Sequence, residues 1–138
     1  MTNKEVAMAF FEAIDNNDFD TARKLLGTHH QIYSPFSQEP ADGDQHIAIS
    51  KSFSDGFSNA SHDWMDVLEC GNKVVTRGTW HGIHTGEFNG IPATGKIVQL
   101  TNITICEIED NTIRNQWVEM DSMSLLKQLG VVPEPAHV

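Results

Sequence analysis

The chain has 138 residues, 39% hydrophobic and 20% charged, enough for one domain with a real core and too few for two comfortable ones. Its formal net charge of −10 argues against nucleic acid, which wants a basic surface, and disfavours anionic membrane surfaces. No apolar run approaches the roughly 20 residues of a membrane span, and the acids early in "MTNKEVAMAFFEAIDNN" do not fit a signal peptide, so a cytoplasmic protein is expected.

Val6, Ala9, Phe10, Ala13 and Ile14 follow the spacing of an amphipathic helix, with Thr2 and Glu5 at capping-box separation before it. "NNDFDTARKLLG" predicts a turn and a second short helix, capped by Asn17 or Asp18 and stopped at Gly27. "HHQIYSPF" reads as a short extended piece ended by Pro35, and "SQEPADGD" as a polar loop. From Asp44, the four-residue recurrence of Ile49, Phe53 and Phe57 predicts a third helix.

The period then changes to two. Trp64 to Glu69 and Lys73 to Gly82 are strand-like and joined at Gly71-Asn72; Val98 to Glu109 and Thr112 to Met120 form a second pair joined at Asp110-Asn111. The last helix starts near Asp121, carries Leu125, Leu126 and Leu129, and ends at Gly130. One domain over residues 1–130 is expected, with 131–138 as a tail. Helices, then antiparallel strands, then a helix predict an α+β fold, with helices on one face of a curved sheet. Such a sheet leaves a conical cavity, the default ligand site. Cys70 and Cys106 sit in strand-like runs and are expected as two buried thiols rather than a disulfide.

"HGIHTGEFNGIPATGK" places His81 and His84 three apart. On a strand, that odd spacing points the two imidazoles to opposite faces, so no shared metal is expected. His29 and His30 fail by the same geometry. The glycines do not make a phosphate loop either, because a β-branched strand and not a helix follows Lys96. The segment is a long connection between strands. Phe88 and Ile91 either cover a pocket mouth or plug the end of the barrel.

Uninterrupted alternation in "IRNQWVEMDSM" puts Ile113, Asn115, Trp117, Glu119 and Asp121 on one face, which suits the wall of a polar-tipped apolar cavity. A carboxyl beside Trp117 would be poorly solvated and suited to proton transfer. Asp121 also stands where a helix N-cap belongs, and spacing alone leaves both roles open. No Ser/His/Asp or Cys/His signature stands out. His46 and His62 read as surface or core residues, and Arg77 as a surface ion-pair partner.

"GTWHGIHTGEFNGIPATGK" and "ITICEIEDNTIRNQWVEMDSMSLLKQLG" closely resemble the SnoaL-like polyketide cyclase (ester cyclase) family, within the NTF2-like, ketosteroid-isomerase-like superfamily. The resemblance is strong from Gly78 to Gly130 and colinear from the N-terminus. It implies an NTF2-like conical barrel, a curved antiparallel sheet wrapped around N-terminal helices, often dimerised through the sheet. It also implies cofactor-free acid–base chemistry, the intramolecular aldol closure of a polyketide ester. Asp121 matches the family's general acid/base, His84 the histidine of its "HTGEF" motif, and Trp117 its tryptophan. Val118 departs from the acidic residue that often follows that tryptophan.

The expected protein is a cofactor-free enzyme acting on a small hydrophobic keto compound, polyketide-cyclase-like or ketosteroid-isomerase-like, with Asp121 and His84 catalytic. Trp117, Trp80, Phe88, Asn102, Asn115, Phe53 and Phe57 are expected around the substrate. A homodimer is expected, with Val118 and Ile105 on the covered outer face and no metal, nucleic acid or membrane partner. The rival is a non-catalytic ligand- or protein-binding module, favoured if Asp121 serves only backbone amides. An epoxide hydrolase of the same superfamily would need an Asp–Arg–Asp set, which only Arg77 or Arg114 can supply.

Overall fold

The computed structural model describes residues 1–132, so most of the expected tail lies outside the described residues. Helix α1 (Asn3–Asp15) opens with the capping box read from the sequence. The Glu5 N–H donates to Thr2 Oγ1 at 3.1 Å, and the Thr2 N–H to Glu5 Oε1 at 3.2 Å. Short α2 (Phe19–Lys24) follows, capped by Asp18, and the chain passes into β1 (Leu26–Tyr33). Gly27 therefore lies in a strand and not at a helix stop. Helix α3 (Gly43–Gly56) carries a second capping box, between Asp42 and Gln45.

The strands are β2 (Phe57–Cys70), β3 (Lys73–His84), β4 (Ile97–Glu109) and β5 (Thr112–Met120), closed by α4 (Ser122–Gln128). The sheet order is β1-β5-β4-β3-β2. Strands β2 to β5 are antiparallel, as expected, and β1 adds an edge strand parallel to β5. Both hairpins use the expected turns. Gly71 has φ 59°, and Asp110 and Asn111 have φ 52° and 58°, the left-handed pair that a two-residue hairpin loop requires.

Helix α3 ends at Gly56, one residue short of the Phe57 that the recurrence includes. Phe57 already pairs with His84, so β2 begins there and not at Trp64. Two bulges then re-aim β2. One falls between Ser58 and Ser61, at Asn59 with φ 51°; the other falls between Trp64 and Asp66. At the second bulge a Cβ on Gly78 would sit 2.1 Å from the Asp63 carbonyl oxygen, so the close approach of the strands requires glycine.

The helices pack on the inner face in two apolar clusters. Val6, Phe10, Phe11, Val74, Cys106 and Ile113 belong to one, and Phe57, Trp80, Phe88, Leu100, Leu125 and Leu129 to the other. The second cluster decides the role of the rim loop. Phe88 is 3% exposed and packs with Phe57 and Trp80, with Ile91 against it, so the loop plugs this end of the barrel.

The two cysteines differ, correcting the expectation of two buried thiols. Cys70 is exposed, whereas Cys106 is fully buried and its thiol is pushed up to about 12 by desolvation. The folded protein is therefore expected to react with one equivalent of an aromatic disulfide reagent per chain at pH 8, and with two after denaturation. Two fast-reacting thiols in the folded state would contradict the burial of Cys106.

Candidate active site

Between the two clusters lies an apolar cavity of about 110 Å³, walled by Phe10, Phe11, Phe36, Phe53, Trp80 and Val118. An engineered apolar cavity of about 150 Å³ is enough to hold benzene, so this space suits a compact ring or short chain. Its polar groups are few: His46, His62, Asn102, Thr104, Gln116 and two serines.

The β5 wall differs from the uninterrupted alternation. Ile108 pairs with Ile113, yet Glu107 pairs with Asn115, so Arg114 is one residue extra in β5. That bulge inverts the phase of everything after it. Gln116, Val118 and Met120 face the cavity, and Asn115, Trp117 and Glu119 face outward. Outside, Trp117 stacks on Tyr33 with ring centroids 5.9 Å apart, and Asn115 donates to Glu107 at 2.8 Å. The outward placements of Trp117 and Asn115, and the inward placement of Val118, correct the expected faces.

Asp121 caps α4. Its Oδ1 accepts the Ser124 N–H at 3.0 Å, and the residue is exposed. It borders a shallower cleft of about 360 Å³ with Met65, Arg77, Ile103 and Glu119 on the outer face. Most of these residues are exposed, so the cleft offers little desolvation. His84 is fully buried outside the cavity lining, its ring 5.2 Å from that of Phe57. The Thr94 N–H donates to His84 Nδ1 at 3.2 Å, which places the imidazole proton on Nε2. His81 lies on the opposite face beside Ser61 and Asp63, as the odd spacing predicts. Of the residues expected around a substrate, Trp80, Asn102 and Phe53 line the cavity; Phe57 and Phe88 pack behind it.

The sequence reading missed the two imidazoles that do reach the cavity. His62 enters because the Asn59 bulge turns Ala60, His62 and Trp64 inward. Its Nδ1 donates to Asp15 Oδ1 at 2.7 Å, and its backbone N–H to Asp15 Oδ2 at 3.0 Å. The carboxylate of the last α1 residue thus holds the ring with one oxygen and the backbone of the same residue with the other. The imidazole also stacks on Trp64 at 4.9 Å and leans on Phe11 at 5.6 Å. A carboxylate on Nδ1 leaves Nε2 as the free nitrogen. The side chains of His62 and Asp15 are only 12% and 20% exposed. The available signal was the apolar alternation of Phe57, Ala60, His62 and Trp64, hidden by the bulge and by the helical period before it.

His46 lies on α3 beside His30 of β1, with His30 Nε2 2.9 Å from His46 Nδ1. Burial lowers both from the usual imidazole range, His46 to about 3. A histidine depressed in the folded state makes the unfolded chain bind the extra proton. Its contribution is complete above the unfolded value of 6.5 and is lost as pH falls from there toward about 3. Between pH 6.5 and 5, while most carboxylates stay ionised, His46 is expected to remove roughly 1–2 kcal/mol of stability. The urea midpoint should fall over that interval, and His46→Gln, which can still donate to His30, should flatten the fall. An equal slope in the variant would contradict a neutral buried His46.

Among the described residues no arginine lines the cavity. Arg77 pairs with Asp66 at 2.7 Å outside, and Arg114 donates to the His29 carbonyl. The Asp–Arg–Asp set of the epoxide-hydrolase reading is therefore not assembled there.

The fold has solved counterparts. IdmH from Streptomyces antibioticus superposes with a TM-score of 0.83 at 24% identity, covering 95% of this chain and 100% of that one. TsrD from Streptomyces laurentii gives 0.79 at 26% identity, with 93% and 94% covered. An LEH-like epoxide hydrolase from M. tuberculosis gives 0.73 at 19%, with 92% and 88% covered. No curated relative matches the sequence. The family model for SnoaL-like polyketide cyclases matches residues 4–129, so with its helix-filled curved sheet and central cavity the chain belongs to that family.

Proposed function

We propose that the protein is a cofactor-free acid–base enzyme that removes a proton next to a carbonyl in a small hydrophobic keto compound, with His62 as the base. The observation that carries this is the Asp15–His62 pair on the wall of an otherwise apolar cavity. A carbon acid needs a positioned base, an apolar site, and donors for the enolate oxygen. His62 supplies the first, held in one tautomer by Asp15. The amides of Asn102 and Gln116 line the same cavity and can supply N–H donors. The abstracted proton resides on Nε2, from which it can return to carbon for isomerisation or pass to the alkoxide of an aldol closure. Polyketide-cyclase-like and ketosteroid-isomerase-like outcomes share this first step. Asp121, the base implied by family resemblance, is the rival for it, and its capping contact is the observation favouring a non-catalytic module. Screening small β-keto esters and compact cyclic ketones for α-proton exchange in deuterated water separates these readings. Exchange lost on His62→Gln supports the proposal; no exchange with any compound favours the binding module.

A homodimer through the outer sheet face is part of the same proposal. Met65, Leu68 and Ile103 are 60%, 59% and 47% exposed on that face. Covering them calls for an interface on the order of 1,600 Å². Light scattering at micromolar concentration is expected to give twice the 15.4 kDa chain mass, and a monomer would refute it.

A further inference from the structure

The cavity end formed by α3 and β1 holds a hydrogen-bond chain whose direction is fixed by its anchor. His30 Nδ1 lies 2.8 Å from the Ile113 carbonyl oxygen. A carbonyl only accepts, so the His30 proton is on Nδ1 and its Nε2 is a lone pair. That lone pair lies 2.9 Å from His46 Nδ1, so His46 carries its own proton there. The remaining nitrogen, His46 Nε2, is then a bare acceptor with no partner among the described residues. His46 is 5% exposed and lines the cavity, with Phe10 5.3 Å from its ring. Two further side chains at the same cavity, Asn102 and Gln116, are 4% and 2% exposed, and their amide oxygens have no partner. Buried polar groups are normally paired, and leaving an acceptor unpaired is costly, so a cavity with such groups is built for a ligand that donates.

We infer that His46 Nε2 is a specificity site for a hydroxyl group on the ligand, so the substrate class is a compact ring compound carrying a donor hydroxyl, phenolic or enolic, beside its ketone. This rests on the cavity being the ligand site, as the proposed function also requires. His46 binds the hydroxyl as a hydrogen-bond acceptor and does not remove its proton. His30 serves as the positioning residue that keeps the His46 lone pair turned to the cavity.

The probes are p-cresol and 4-fluorotoluene, alike in shape, of which only the first donates. Calorimetry or ligand-observed NMR is expected to show p-cresol binding roughly 5–150-fold tighter, the range for satisfying rather than stranding a buried acceptor. His46→Phe should erase the preference, so that the ratio of the two affinities falls to about one. His46→Phe leaves His30 unpaired, so nitrogen NMR of the wild-type imidazoles provides a second readout. His46 Nε2 should shift with p-cresol and stay in place with 4-fluorotoluene. Equal affinities, failure of both probes to bind, or a preference that survives in His46→Phe would each overturn the assignment. Undiscriminated binding would leave the proton-exchange reading intact. Exchange that survives His62→Gln would remove that reading and leave this one standing.

Discussion

His62→Gln is expected to slow α-proton exchange by ~10²–10⁴-fold with the fold retained, the usual contribution of a positioned general base. The glutamine side chain can still donate toward Asp15 but has no basic nitrogen. Asp15→Asn should fall in the same direction for a different reason. Its carbonyl oxygen can keep the His62 backbone N–H, which turns its NH₂ toward Nδ1. That reverses the tautomer, and Nε2 then carries the proton and cannot accept one. Asp121→Asn is the contrasting variant. Asn is as good an N-cap as Asp, so the Ser124 contact survives and stability should change by no more than about 0.5 kcal/mol. If His62 is the base, exchange in Asp121→Asn stays near the wild-type rate. If Asp121 is the base, the ranking of the two variants inverts.

Phe10→Ala is expected to lower unfolding free energy by about 3–5 kcal/mol. Phe10 is 2% exposed, packs edge-on against Phe11 at 5.7 Å, and lines the cavity. The size of the loss follows from that position. A site that can collapse recovers part of the lost contacts, but here the vacated space would join an existing cavity held open by the sheet. The cost should therefore sit at the upper end of the range. Domains of this size are stable by about 5–15 kcal/mol, so a large share of the total is at stake. Ile97→Ala is the control, since Ile97 is 75% exposed and should change stability by less than about 0.5 kcal/mol. Urea unfolding measures both. A Phe10→Ala loss under about 1 kcal/mol would mean that the helices do not pack as described.

Local signals in the sequence carried most of the fold. The Thr2–Glu5 box, the Gly71-Asn72 and Asp110-Asn111 turns, and the Leu125–Leu129 stripe each act within a few residues, and each forms where expected. The parallel pairing of β1 was not legible, because "LGTHHQIY" has no clean alternation and its partner lies some 85 residues away. The site was harder still. Arg114 looks like any strand residue, and only the partner strand shows two residues standing opposite one. That single insertion moved Trp117 from the cavity to the outer face and put Gln116 in its place. Asn59 did the same for His62 at the other edge. Asp15 and His62 are 47 residues apart, and His30 and His46 are 16 apart, so no spacing rule joins them. The family motif marked the chain from β3 onward, whereas the cavity takes its imidazoles from β2 and α3.

The most direct test of the account is a crystal structure with a β-keto ester bound. It should place the ester in the inner cavity against Phe53 and Trp80, with its acidic carbon roughly 3–3.5 Å from His62 Nε2, the separation of a near-attack arrangement. An ester lying in the outer cleft against Asp121, with the inner cavity empty of it, would contradict His62 as the base and return that role to Asp121.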